Sequence, residues 1–134
     1  MAVLVDTSVL IAAERAERGL AQAVEPDTDA AVSAVTVAEL QRGVERATGA
    51  RQRRRREDEL LSAVGLFPTL PIDGVVALAA AEIWVDLERQ GMVIPIFDLL
   101  IAATAIVTER TLIAADARHF PRVEGLELRL IETA

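Results

Sequence analysis

Four acidic residues stand where a chain of this composition would otherwise place apolar ones. Asp6 ends the run AVLV in MAVLVDTSVLI, and Glu39 lies in SAVTVAEL. Asp98 interrupts GMVIPIFDLLIAATA, and Asp116 follows TLIAA. An unpaired charge in apolar surroundings is costly, so each carboxylate needs a partner. Taken singly, Asp6 and Asp116 read as helix caps, a role that Asp favours, and Asp98 as an acid stabilised in a first helical turn. Capping does not explain the set. Four carboxylates, each at a strand end or first helical turn, would face the same end of one sheet. Like charges gathered there raise one another's pKa values unless a cation neutralises them. Of the arginines, only Arg42 is close in sequence to Asp6, Glu39 or Asp98. A hard divalent ion is the more economical partner, because Mg²⁺ takes oxygen ligands and one or two carboxylates. Thr7 and Ser8 would then orient Asp6 or a bound water from behind.

The elements that must position these acids follow from periodicity. Short apolar runs alternate with helical patterns along the chain, the mark of an α/β domain with a mainly parallel sheet. Strands are expected near Ala2–Val5, Ala31–Ser33, Phe67–Leu70, Thr111–Ala114 and Leu126–Leu130. Helices are expected near Ser8–Glu14, Thr36–Ala47, Ala50–Val64, Gly74–Gln90 and Phe97–Thr108, with Gly49 and Gly91 as terminators. Pro68 and Pro71 punctuate the edges of the third strand. Ligands of open parallel sheets bind beyond the carboxyl ends of the strands, where Asp6 and Asp116 fall.

Composition narrows the chemistry. The 134 residues read as one domain, 1–134, long enough for a core of its own. Cysteine is absent, which excludes disulfides and thiolate metal sites. All 14 basic residues are arginine. No run approaches the ~20 apolar residues of a membrane span, and the N-terminus lacks a signal peptide's basic region, so a cytoplasmic location is expected. A net charge of −7 argues against a general polyanion-binding surface, leaving local arginines or bound metal for any nucleic-acid contact.

The segments VLVDTSVLI, VSAVTVAELQRGV, GMVIPIFDLLIAATA and TLIAADARHF, in this order, resemble the PIN-domain nucleases, and within them the VapC-type ribonuclease toxins of bacterial toxin–antitoxin pairs. The resemblance covers nearly the whole chain, including the closing VEGLELRLI. It implies a three-layer α/β/α sandwich around a parallel sheet and an acidic site at Asp6, Glu39, Asp98 and Asp116. It also implies Mg²⁺- or Mn²⁺-dependent cleavage of single-stranded RNA regions, and a homodimer inhibited by a small antitoxin. Where the family often has Thr two residues before the last acid, this chain has Ala114, which removes a hydroxyl from the edge of the site.

On this reading Asp6 and Asp98 are direct metal ligands. Glu39 positions water or completes the shell, and Asp116 holds a second metal or an outer water. Hydrolysis by a metal-activated water does not use the RNA 2′-hydroxyl, so 5′-phosphate and 3′-hydroxyl ends are expected. The metal-free route through two histidines fails, because His119 is the only one; it is expected to pack or hydrogen-bond beside the site. Aspartyl-phosphate chemistry after the DTS motif and a P-loop both need a lysine, which the chain lacks. A non-catalytic PIN-like binding or assembly domain is the remaining alternative.

Two features lie outside the acidic set. RQRRRREDEL, Arg51 to Leu60, is either a solvated helix face with Arg53–Glu57, Arg54–Asp58 and Arg55–Glu59 pairs, or a phosphate-contacting rim. Trp84, the only tryptophan, is expected in the core or at an interface rather than as a base-stacking platform.

Overall fold

Alternation along the central strands explains why helices cover both faces of the sheet. In β1 (Ala2–Val5), Val3 and Val5 point to one face and Leu4 to the other. In β4 (Thr111–Ala114), Ile113 shares the first face, while Leu112 and Ala114 share the second. Strands buried on both sides read as continuous apolar runs, as these do. The computed structural model describes residues 1–19 and 22–131.

The other strands are β2 (Asp29–Ser33), β3 (Thr69–Leu70) and β5 (Leu128–Leu130). The order is β3-β2-β1-β4-β5, and every pairing is parallel rather than mainly so. α1 (Thr7–Arg15), α2 (Ala34–Glu45) and α3 (Ala50–Leu66) contribute Val9, Leu10, Leu40 and Ala63 to the core on one face. α4 (Gly74–Arg89) and α5 (Ile96–Val107) contribute Leu87, Leu99, Ile101 and Ala105 on the other. This is the expected three-layer α/β/α sandwich. No helix among the described residues is long and apolar enough to cross a membrane.

The differences from the expected boundaries have local causes. α2 begins at Ala34, two residues early, because Ser33 caps it by accepting from the Val35 amide at 3.0 Å. β3 is only two residues long, since Pro68 has no N–H to give and Pro71 ends the ladder. Gly49 does not terminate α2, whose C-cap is Arg46; its positive φ of 104° instead turns the chain into α3. Gly91 does end α4. Its φ is 72°, and the Gly91 and Met92 amides reach back to the Glu88 and Leu87 carbonyls in a Schellman motif.

Candidate functional site

The chain leaves β1 for β2 and β3 on one side and returns to β4 and β5 on the other, so the sheet order reverses between β1 and β4. Crevices at such switch points, beyond the carboxyl ends of the strands, are where open parallel sheets hold ligands. Asp6 leaves the sheet there, its amide donating to the Ile113 carbonyl of β4 at 2.9 Å. Asp6, Glu39, Asp98 and Asp116 all line one cavity of about 440 Å³ at this edge. The structure thus brings together the four acids that the sequence singled out.

Asp6 does cap α1, as its bland reading required. It accepts from the Ser8 amide at 3.1 Å and from the Ser8 hydroxyl at 2.5 Å. The Ala115 amide donates to Ser8 Oγ in turn, tying the cap to the end of β4. Yet Asp6 is only 5% exposed, and no basic side chain pairs with it among the described residues. Burial pushes its carboxyl above the usual value against the pull of the Ser8 hydrogen bonds, and the Asp98 charge adds to the rise.

Glu39 sits in the second turn of α2 rather than the first, and its Oε1 accepts from the Thr7 hydroxyl at 2.7 Å. Thr7 therefore orients Glu39, not Asp6 as the sequence implied. The fully buried Thr36 lies 3.0 Å from Thr7 Oγ1; since Thr7 spends its one proton on Glu39, Thr36 is the donor in that contact. Thr36 was not singled out in the sequence, although it stands three residues before Glu39 and so shares its helix face. Burial raises the Glu39 pKa against the Thr7 hydrogen bond, and the Asp6 and Asp98 charges raise it further.

The other two acids are already engaged. Asp98, in the first turn of α5, lies 2.8 Å from His119 Nδ1, which places His119 beside the site as expected. Asp116 is clamped by Arg118 through bonds of 2.7, 2.9 and 3.1 Å, and these hold its carboxyl below the usual range. The sequence showed Arg118 two residues on but gave no sign of this fork.

Among the described residues, no three acidic or histidine side chains stand close enough to form a finished coordination sphere. The donor set still fits a hard cation. It is made of oxygen donors, and burial and neighbouring carboxylates raise the pKa of both Asp6 and Glu39. Among the described residues no arginine forms an ion pair with either, so a cation is the group that would stabilise their charged forms.

The PIN domain family profile matches residues 3–126, and the chain belongs to that family. Its VapC branch is marked by Ribonuclease VapC1 of Rickettsia felis, 31% identical over 133 residues that cover 99% of this chain and 98% of that protein. The crystal structure of VapBC-5 from Mycobacterium tuberculosis, a member of the VapBC family of toxin–antitoxin systems, matches with a TM-score of 0.79 and 32% identity over 98% of both chains. VapBC2 of Rickettsia felis, crystallised on a promoter DNA fragment, matches with a TM-score of 0.83 over 98% of this chain and 100% of that chain; at 24% identity it attests the fold alone.

Proposed function

We propose that this chain is one nuclease domain, an endoribonuclease toxin that uses Mg²⁺ or Mn²⁺ to hydrolyse phosphodiester bonds in single-stranded regions of RNA. The observation that carries the reading is the convergence of Asp6, Glu39, Asp98 and Asp116 on one cavity, with Asp6 buried and, among the described residues, not ion-paired. Family membership supports it, since its relatives are ribonucleases by name.

Asp6, held by Ser8, and Asp98, steadied by His119, are the carboxylates that would hold the ion. When bound, it supplies Lewis-acid polarisation of the phosphate and a more acidic water. Glu39, its direction fixed by the Thr7 hydroxyl, positions the attacking water or completes the shell. Asp116 is the outer member, able to serve a second ion or an ordered water once Arg118 turns away. Ile96 and Phe97, each more than 40% exposed, stand in the wall of the same cavity. An exposed aromatic beside the acids supports stacking of an unpaired base, which favours single strands.

Two partners belong to the same reading. VapBC-5, the structural relative of 32% identity, belongs by name to a family of toxin–antitoxin systems, which supports a cognate antitoxin for this chain. α4 leaves Val75, Leu78 and Val85 exposed on one face and Trp84 exposed to its side, an apolar surface that fits a homodimer contact and accounts for Trp84 outside the core.

The test compares wild type with Asp98→Asn on total cellular RNA, with Mn²⁺, Mg²⁺ or EDTA, and maps the fragment ends. Metal-dependent cuts with 5′-phosphates, lost in the variant, are expected. Cyclic 2′,3′-phosphate ends would sink the mechanism. Absence of both cleavage and Mn²⁺ binding would favour a non-catalytic scaffold.

A further inference from the structure

A second cavity, of about 450 Å³, opens between α1, α2 and α3, and Thr7, Ile11 and Glu39 line both it and the acidic cavity. Its remaining walls carry Arg15, Arg42, Arg46 and Arg56. In a chain of net charge −7, four of the 14 arginines face one groove that leads out of an acidic site. None of the four is ion-paired among the described residues. The contrast with the rest of the basic run is sharp. Arg53 is paired with Glu57 and Glu45, and Arg55 with Glu14, whereas the expected Arg54–Asp58 and Arg55–Glu59 pairs do not form. Of the members of the run left unpaired among the described residues, Arg56 faces the groove, while Arg51 and Arg54 lie outside it.

Their placement is regular. Arg42, three residues after Glu39 on α2, and Arg46, seven residues after it at the C-cap, lie on the side of the helix that carries Glu39. Arg56 lies across Gly43 and donates to its carbonyl at 2.6 Å, which seats a guanidinium in the groove wall. Arg15 closes α1, eight residues or ~12 Å of helix from Thr7. The acids in the groove oppose this charge weakly. Glu14 is already committed to Arg55, and burial next to Glu14 pushes Glu59 up to about 7, leaving it partly protonated at neutral pH.

We infer that this groove is a phosphate subsite for the RNA strand on one side of the cut, with Arg15, Arg42, Arg46 and Arg56 holding the phosphates that flank the scissile one. The inference rests on the ribonuclease reading and extends it to the path of the strand. Guanidinium forks match phosphate oxygens, and such contacts fix register without reading sequence. The groove therefore contributes affinity, and choice of site falls to other contacts.

Anisotropy titration of a fluorescent single-stranded oligoribonucleotide, with Ca²⁺ in place of Mg²⁺, tests this on wild type, Arg15→Ala/Arg46→Ala and Arg54→Ala. Both groove residues are exposed, and thermal melts verify that each variant is folded. The double variant should bind several-fold more weakly, and the slope of log K against log[salt] should shrink by ~1.4, the value for two lost phosphate contacts on a single strand. Its Mn²⁺ affinity and kcat should hold while KM rises. Arg54→Ala, outside the groove, should match wild type. An unchanged affinity and salt slope in the double variant, with wild type still cleaving, would overturn the subsite while leaving the nuclease intact. Unchanged RNA binding with weakened binding of the co-expressed antitoxin would assign the groove to an acidic peptide instead. RNA neither bound nor cut by wild type would remove the underlying reading and this one with it.

Discussion

Asp6 carries two demands that usually fall on different residues: it caps a helix and, among the described residues, it stands buried without a counter-charge. The second demand has a sign that can be checked. A carboxyl whose folded pKa lies above its unfolded 3.8 binds its proton more tightly in the fold, so stability falls as pH rises through that window and stays lowered at neutral pH. Asp6→Asn keeps an acceptor for Ser8 and removes the charge. It should abolish metal-dependent cleavage yet raise Tm at pH 7, and wild type should also rise in Tm with Mg²⁺ because the ion binds only the folded state. A variant that loses both activity and stability would show that Asp6 acts as a cap alone. Glu59 follows the same rule over a wider range, from 4.5 unfolded to about 7 folded, and its Oε1 is buried without a partner. Glu59→Gln should leave stability unchanged near pH 4 and raise it at pH 8. Screening at a partly exposed site limits the gain to about 1 kcal/mol, or roughly 4 °C. Melting curves across that pH range read the effect directly.

At the scale of elements, the helix ends show how local chemistry and fold disagree. α1 and α5 finish as α4 does, with the second amide past the C-cap reaching back to the Ala13 and Ala105 carbonyls respectively. Where α4 places Gly91, however, these helices place Glu17 and Glu109, both at φ 54°. A side chain costs about 1 kcal/mol in that left-handed conformation. Glu109→Gly should therefore raise Tm by a few degrees without touching activity, and a lower Tm would mean that Glu109 makes a compensating contact. This is also where reading from sequence ran short. Gly91 announced its helix end, whereas Glu17 and Glu109 gave no signal, because the conformation there is imposed by the turn into β4 or the loop beyond α1. The strands were legible at β1 and β4, whose apolar runs are buried on both faces. β3 was overextended, since an apolar pair beside two prolines looks the same whether or not a neighbour pairs with it.

For the whole molecule, the unpartnered stripe on α4 sets the next expectation. Val75, Leu78 and Val85 recur at three and seven residues along the outer face, with Trp84 beside them, all exposed. Leu78→Glu combined with Trp84→Glu should convert a dimer to a monomer by light scattering while each chain stays folded; a wild type that is already monomeric would place the contact elsewhere. By itself the sequence determined the alternation of apolar runs and helices, hence the layered parallel fold, and it marked Asp6, Glu39, Asp98 and Asp116 as acids facing one edge. It could do so because period and polarity are local properties of the chain. Only the tertiary structure decided that Thr7 serves Glu39, that Arg118 clamps Asp116, that His119 meets Asp98, and that Arg15 and Arg56 share a groove with Arg42 and Arg46. Most of these residues meet across tens of positions in the chain, brought together by the strand order. Even the near neighbours Asp116 and Arg118 depend on the path the chain takes as it leaves β4, which no short window of sequence contains.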